Sequence, residues 1–347
     1  MPSSNMPTIT PKKELNYLRI LFFTFGLGIM SWVPRFPEVK EALKLTNGGF
    51  GSLISTGALG SLISLLTVGH VVHKIGVKRV LYVASFFLMA TLIVLTTVDS
   101  SLIFFFANIA FGASISAFHI AINAQGFNYQ DRTGKFIITQ MSGLWSAGAL
   151  ITAFLSGFLV DRVSLHFHIA VLTAFVFLIQ VFIIHSLESA LLKENQDVNI
   201  EYKLKELFAG FSFDRLVSFG LICAIFLEFA LSDWATIYTK EEIGIKGGLN
   251  TLPFILFTMW MIFGRFTVHY LLPRFTLERL AIAASLLAGI SFLVSVFLAR
   301  TVFASNQDIA FLVICIGFSI AGLGSSFLGP TFMAAANTRS KHPASVV

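Results

Sequence analysis

The chain has 347 residues, of which 56% are hydrophobic and 12% are charged, with a mean hydropathy of +0.82. Soluble globular domains carry about 25% charged residues, so this composition cannot cover a water-exposed surface and excludes an ordinary soluble protein. The formal net charge of +6 could indicate a nucleic-acid partner, but excess Lys and Arg also collects in the cytoplasmic loops of membrane proteins. We therefore predict a membrane protein with the lipid bilayer, and no nucleic acid, as its partner.

Ten apolar segments are long enough to cross a bilayer, since a spanning helix needs about 20 largely apolar residues. The first follows Lys12 and Lys13 but is longer than a signal-peptide core and lacks an A-x-A-like cleavage site, so we interpret it as an uncleaved helix. The fold class is therefore an all-α polytopic membrane protein. The predicted spans are 17–36, 49–72, 79–97, 101–127, 138–160, 164–185, 216–238, 249–272, 278–299 and 308–333.

The distribution of basic residues predicts how these spans are oriented. If the N-terminus is cytoplasmic, 17 of the 24 Lys and Arg residues fall in inside segments and 7 in outside segments. This asymmetry agrees with the positive-inside rule, and it explains the high isoelectric point without nucleic acid.

The longest polar stretch, residues 185–215, separates six spans from the remaining four. A weak repeat relates SWVP at 31–34 to DWAT at 233–236, and relates GHVVHKIGVKRV to GRFTVHYLLPRFTLERL, each near the end of corresponding spans. Two equal halves would require twelve helices, so we expect a chain truncated at its C-terminus. The predicted parts are an N-terminal six-helix half at 1–185, a central cytoplasmic loop at 186–215 and an incomplete second half at 216–347.

The first of these loops resembles a motif of the major facilitator superfamily. The superfamily pattern is G-x-L-A-D-R-x-G-R-K, and the sequence here is GHVVHKIGVKR, with His73 in the place of the Asp. In the family that Asp belongs to a charge network at the inner gate, so the resemblance implies an altered or pH-sensitive network. It assigns five residues to the gate: Gly69, His73, Gly76, Lys78 and Arg79.

Within the superfamily, the sequence resembles the bacterial MosC/YbjJ-like group. The motifs that carry the resemblance are SWVPRFPEVKEALKL, HIAINAQG, SGLWSAGAL, EFALSDWATIY, MIFGRF and GLGSSFLGP, spread over nearly the whole chain. The resemblance implies twelve helices, about ten of them present here, and alternating-access transport of a small solute, with a sugar- or inositol-like one as the expected class. It also implies a monomer in the bacterial inner membrane.

The stretch FLEFALSDWATIYTK, residues 226–240, places two carboxylates in an apolar span. Glu228 lies about 12 residues, or about 18 Å, past the cytoplasmic start of the span, near the middle of the bilayer. Charged groups at this depth usually face a cavity or a partner. We predict that Glu228 binds substrate or couples proton movement to transport. The alternative is a neutral, hydrogen-bonded structural residue.

The second carboxylate, Asp233, lies near the outer end of the same span and about 140° around the helix from Glu228. Because span one faces span seven in the superfamily, we predict that Arg35 and Asp233 form an ion pair that closes the outer gate, next to Trp234. The alternative places both charges in solvent and Trp234 in the aromatic belt of the interface. Arg265 is assigned to the gate from the second copy of the loop motif.

Span four carries a polar stripe. Asn108, His119 and Asn123 share one side of the helix because they are spaced by eleven and four residues. We predict substrate contacts for all three, with interhelical hydrogen bonding as the alternative. Trp145 in span five could stack on a sugar-like ligand or pack against other helices, whereas Trp32 is expected in the interfacial belt.

No metal or cofactor is predicted. His70 and His73 are three residues apart, but no carboxylate or cysteine completes a metal site. Cys223 and Cys315 lie in apolar runs and are expected to be buried. A phosphate-binding GxxxxGK[ST] loop does not occur in the sequence, which argues against ATP-driven transport by this chain.

The function predicted from the sequence is secondary active transport of a small solute, with protons as the coupling ion. A polytopic membrane enzyme is the alternative from another class. Such an enzyme needs acidic, His or metal-binding clusters at a loop–membrane boundary, and the loops of this sequence carry none. A third alternative is an inactive transporter fragment.

Overall fold

The computed structural model describes residues 9–135, 137–193, 215–271 and 274–339. Within these residues, nine helical segments are long and apolar enough to cross a membrane, and no strand occurs. The predicted all-α membrane fold is confirmed. The nine segments include all ten predicted spans because one of them, Asn47–Thr97, is 51 residues long and contains two.

The chain divides into two compact units, Met1–Val198 and Asn199–Val347. Most of the predicted central loop, residues 194–214, lies outside the described residues. The first unit comprises α1 (Pro11–Ile29), a 3-10 turn (Val33–Arg35), α2 (Phe36–Ala42), α3 (Asn47–Ser55), α4 (Gly57–Thr97), α5 (Ser101–Thr133), α6 (Ile138–Leu159) and α7 (Leu165–Ser186). The second comprises α8 (Arg215–Glu241), a 3-10 turn (Gly247–Thr251), α9 (Leu252–Leu271), α10 (Leu277–Phe303) and α11 (Gln307–Arg339).

A kink in α4 joins the predicted spans two and three. The sequence predicts a loop between them, but the structure interrupts the helix at a single non-helical residue, Gly76, with φ 81° and ψ 158°. This backbone conformation is essentially restricted to glycine. The next residue, Val77, donates its backbone N–H to the carbonyl of Leu192 at 3.0 Å, which anchors the kink to the segment after α7.

Glycines allow the closest helix crossings. A Cβ placed on Gly60 would lie 1.8 Å from the carbonyl oxygen of Ile109, so α4 and α5 pack backbone against backbone. A Cβ on Gly26 would lie 2.0 Å from the carbonyl oxygen of Trp145, which brings α1 equally close to α6. Small residues at such crossings are how helices associate in lipid, where tails and side chains are equally apolar.

Two predictions about burial are wrong. Trp32 is not an interfacial residue: it is 4% exposed, and its ring packs edge-on against Phe36 and Phe111 at centroid distances of 4.8 and 5.4 Å. Cys223 is exposed on α8, whereas Cys315 is buried as predicted. In a protein whose helices face lipid, an apolar run contains outward-facing positions as well as buried ones, and the sequence does not separate them.

Candidate functional site

Two helices of the second unit bring together Glu228 and Arg265, which the sequence assigned to separate roles. Nη2 of Arg265 donates to Oε1 of Glu228 at 3.1 Å and lies 3.6 Å from the sulfur of Met261. The two residues meet because α8 and α9 are consecutive helices that form a hairpin. Glu228 lies 13 residues before the end of α8 at Glu241, and Arg265 lies 13 residues after the start of α9 at Leu252. Both side chains therefore lie at the same depth.

This ion pair is incompletely satisfied. The side chains of Glu228 and Arg265 are 28% and 31% exposed, and a single N–H···O contact joins them. Nε of Arg265 is shielded and has no hydrogen-bond acceptor among the described residues. An arginine–carboxylate pair can form two parallel hydrogen bonds. One carboxylate oxygen and several N–H groups therefore remain open to another molecule.

Arg35 shows the opposite arrangement, and its burial contradicts the alternative that places it in solvent. It is 1% exposed, and its Nε and Nη2 donate to the two carboxylate oxygens of Glu38 at 2.6 and 2.7 Å. Nη2 also donates to the carbonyl of Val163 at 2.8 Å, and Nη1 lies 3.4 Å from Nδ1 of His168. Arg35 thus links the end of α1 to the start of α7. Asp233 lies in the other unit, so the ion pair between Arg35 and Asp233 stays a prediction.

The C-terminal part of α8 carries Asp233 and Trp234, both half-buried. Within the described residues, the carboxylate of Asp233 has no hydrogen bond or ion pair. One turn further on, Thr236 is fully buried, and its hydroxyl also lacks a partner in the described part of the chain. This region of α8 therefore retains two polar groups that the second unit does not satisfy.

In α5, Asn108 supports the alternative of interhelical hydrogen bonding. It is 3% exposed, and its amide nitrogen donates to the carbonyls of Leu53 and Ile54 at 3.1 and 2.7 Å and to the hydroxyl of Thr56 at 3.1 Å. These carbonyls lie at the end of α3, where backbone donors are few, and Asn108 adds to the N–H of Thr56, which also donates to both. Asn108 therefore connects α5 to the end of α3.

The other two residues of the predicted stripe lie in a different environment. His119 is exposed, and its ring stacks on Phe25 of α1 at 6.1 Å. Phe25 also stacks on Phe118 at 4.6 Å. Asn123 is half-buried and donates to the carbonyl of His119 in its own helix at 2.9 Å. Trp145 in α6 is half-buried as well. His119 and Asn123 thus remain accessible, whereas Asn108 is not.

The residues of the superfamily-like motif at 69–79 lie in different environments. Lys78 pairs with Glu188 after α7 at 2.5 Å, and this hydrogen bond is the main reason why the pKa of Glu188 is lowered. Gly76 is buried at the kink, and Arg79 is exposed. His73 is exposed too, without a hydrogen bond or ion pair among the described residues. A Cβ on Gly69 would meet nothing within 4 Å.

One cluster was missed by the sequence reasoning. Glu14 is 1% exposed, and its Oε1 accepts hydrogen bonds from Arg132 at 2.5 Å and from Gln125 at 3.1 Å. Gln125 also donates to the carbonyl of Ala190 and accepts from the backbone N–H of Leu192, both at 2.9 Å. In sequence, Glu14 lies beside two lysines at a helix start and resembles a surface residue, so no local signal predicts its burial.

Comparisons with known proteins agree with this architecture. A model of the Major Facilitator Superfamily matches residues 18–347. An MFS-type transporter of Yersinia pestis is 23% identical over 336 residues, which cover 94% of this chain and 81% of the relative. The membrane protein MosC of Rhizobium meliloti is 22% identical over 338 residues, which cover 95% of this chain and 78% of the relative.

Solved transporter structures share the fold. A mutant of the nucleoside transporter NupG superposes with a TM-score of 0.75 at 14% identity, covering 96% of this chain and 85% of that one. A D-xylose-proton symporter superposes with a TM-score of 0.66 at 14% identity, covering 96% and 84%. Since the family model spans nearly the whole sequence, this multi-pass membrane protein belongs to the Major Facilitator Superfamily of transporters.

Proposed function

We propose that the protein is a secondary active transporter that moves a small solute by alternating access, coupled to protons, as a monomer in the bacterial inner membrane with a cytoplasmic N-terminus. The observation that carries the proposal is the pair of Glu228 and Arg265 in the second unit, joined by one contact at 3.1 Å and about a third exposed. Ionisable residues inside membrane spans commonly mark solute and proton pathways.

The pair provides a physical basis for coupling. When Glu228 is ionised, its charge compensates that of Arg265, and together the two side chains are neutral within the span. Protonation of Glu228 removes this attraction and frees the guanidinium for oxygen atoms of a solute. By linkage, a solute bound to Arg265 favours protonation of Glu228 to the same extent. Proton and solute would therefore bind together.

The contrast with Arg35 supports choosing this pair. Arg35 and Glu38 share two hydrogen bonds, and a backbone carbonyl occupies a further N–H of Arg35. Although Glu38 is 31% exposed, Arg35 is 1% exposed, and exchanging its partner would break several hydrogen bonds at once. Arg35 and Glu38 are suited to holding the unit together. Glu228 and Arg265 retain free hydrogen-bonding groups and are suited to exchanging partners.

We expect a hydroxyl-rich solute, in the sugar- or inositol-like class. Hydroxyl groups both donate and accept hydrogen bonds, so they can bind the open carboxylate oxygen of Glu228 and the open N–H groups of Arg265. The solved structures with the same fold are named for nucleosides and for D-xylose with a proton, and these solutes also carry several hydroxyl groups. His119, Asn123 and Trp145 remain the proposed contacts from the first unit.

The test is uptake by proteoliposomes that contain the purified chain, screened against sugars and polyols with and without a pH gradient. Wild-type protein should accumulate a solute only when the gradient is present. Glu228→Gln should still exchange solute across the membrane but should not accumulate it, because a permanently neutral side chain cannot carry a proton. Glu242→Gln, a carboxylate in the turn after α8, is the matched control and should behave like wild type.

Two results would contradict parts of the proposal. If Glu228→Gln accumulates solute with an unchanged pH dependence, then Glu228 is not the coupling residue, although the protein is still a transporter. If no solute in the screen enters the vesicles, the proposed substrate class is wrong. Recovery of a chemically altered solute would favour the membrane-enzyme alternative.

A further inference from the structure

Arg19 in α1 is a cation without a counter-ion in an apolar helix. It lies eight residues after the start of the helix at Pro11, or about 12 Å along its axis, and the run ILFFTFGLGIM follows it. Nη1 donates to Oδ1 of Asn16 at 3.0 Å, and Nη2 donates to Oε1 of Gln140 in α6 at 3.1 Å. Both acceptors are neutral amides, so neither balances the positive charge.

Three arginines in or next to the spans differ in this respect. Arg35, Arg132 and Arg265 each have a carboxylate oxygen within 3.1 Å, as expected of a charge in a membrane helix. Within the described residues, Arg19 has no carboxylate within ion-pair distance. The carboxylate nearest in sequence, Glu14, already binds Arg132 at 2.5 Å. The charge of Arg19 is therefore available to an outside anion.

The geometry of Arg19 also prepares it for a ligand. A guanidinium has five N–H groups, and the hydrogen bonds to Asn16 and Gln140 use one on each terminal nitrogen. Nε is shielded and has no partner in the described part of the chain. One hydrogen on each terminal nitrogen remains, and two such groups can bind two oxygens of one carboxylate or phosphate. Asn16 and Gln140 hold the planar group in position from two different helices.

A simpler role would be an arginine that extends along the helix towards water near the membrane surface. The contact with Gln140 argues against this role, because it holds the half-buried side chain across to the third residue of α6, whereas the contact with Asn16, one turn earlier in α1, fits both roles. The first turn of a helix carries a partial positive charge, so Arg19 faces a second electropositive group. Lys12 and Lys13 at the start of α1 add to the same field.

We propose that Arg19, positioned by Asn16 and Gln140, forms a binding site for an oxyanion. The ligand is either the phosphate or carboxylate group of a small solute or the phosphate of an anionic lipid headgroup, since these groups share the chemistry that a guanidinium recognises. The site lies within the first unit, and its occupancy can be measured at equilibrium. It therefore does not rest on the proposed transport cycle or on Glu228.

The test uses the purified full chain in an uncharged detergent. The Tm of the protein is measured at increasing concentrations of inorganic phosphate or of acetate, and each series is compared with chloride at equal ionic strength. Native mass spectrometry then compares retention of phosphatidylglycerol with that of phosphatidylcholine. Wild-type protein should show saturable binding in at least one arm. Arg19→Gln should weaken it by about tenfold or more, as expected for loss of a charge-assisted hydrogen bond, and Arg19→Lys should weaken it less.

Arg162→Gln is the matched control, because Arg162 is exposed at the opposite end of α6 and its guanidinium contacts only the carbonyl and ring of Phe158 among the described residues. Binding of phosphate or acetate would identify a solute site, and retention of phosphatidylglycerol alone would identify a lipid site. No binding in any arm, or equal binding by wild type and Arg19→Gln, would overturn the proposal. If Arg19→Gln is not monodisperse, Gln140→Ala takes its place and should weaken binding. An unchanged affinity of Gln140→Ala would overturn the proposal as well.

Discussion

Replacing Gly76 by Ala tests whether the kink in α4 depends on a backbone conformation that only glycine tolerates. At φ 81° and ψ 158°, a residue with a Cβ costs about 1–3 kcal/mol. If the chain relaxes towards a regular helix instead, the hydrogen bond from Val77 to Leu192 at 3.0 Å is lost, and a typical hydrogen bond contributes about 0.5–1.5 kcal/mol. Either route destabilises the first unit.

The assay is thermal unfolding of the purified protein, with Gly69→Ala as a matched control seven residues earlier in the same helix. For a domain of roughly 200 residues, 1 kcal/mol corresponds to about 2–4 °C, so Gly76→Ala should lower Tm by about 2–12 °C. A Cβ at Gly69 meets nothing within 4 Å, and Ala is favoured over Gly in a helix by about 1 kcal/mol, so Gly69→Ala should leave Tm unchanged or raise it. Equal effects of the two changes would refute the reasoning.

Two further predictions concern the first unit. The pKa of Glu188 lies below its ordinary value of 4.5 because Lys78 donates a hydrogen bond to it. This contact therefore stabilises the protein fully above about pH 4.5, and the stabilisation is lost as the pH falls further. Below about pH 4.5, the Tm of wild type should fall, that of Glu188→Gln should fall less, and identical profiles would contradict the assignment. Gly60→Ala places a Cβ 1.8 Å from the carbonyl oxygen of Ile109. Overpacking of this kind costs about 1–3 kcal/mol, so Tm should fall. The control is Gly289→Ala, which should be neutral because nothing lies within 4 Å of the added Cβ.

The fold class could be predicted from the sequence because the bilayer imposes it. Each span must satisfy its backbone groups internally and must be apolar over about 20 residues, and these requirements are visible in the local composition. The motifs near Gly69 and Asp233 pointed to the superfamily for the same reason: they are local patterns. The position of the kink was not predicted in detail, since 49–72 and 79–97 were separated by a loop where the structure has one residue, Gly76.

The partners of the charged residues could not be predicted, because they depend on which helix faces are brought together. Glu228 and Arg265 are 37 residues apart, and they meet because α8 and α9 form a hairpin in which each residue lies 13 positions from the turn. The pairing of Arg35 with Asp233 stays a prediction, and no sequence pattern indicated that Glu38 and Val163 hold the guanidinium of Arg35 within its own unit.

The amino-acid sequence by itself therefore determined that this protein crosses the membrane many times, and which residues carry charge within the spans. Tertiary structure decided which of those charges are balanced. Arg35 has a carboxylate partner with two hydrogen bonds, Arg265 shares a single contact with Glu228, and Arg19 has only neutral acceptors among the described residues. The physical reason is that hydropathy acts along each helix, whereas hydrogen bonds and ion pairs require atoms within about 3 Å, a condition that only helix packing can meet.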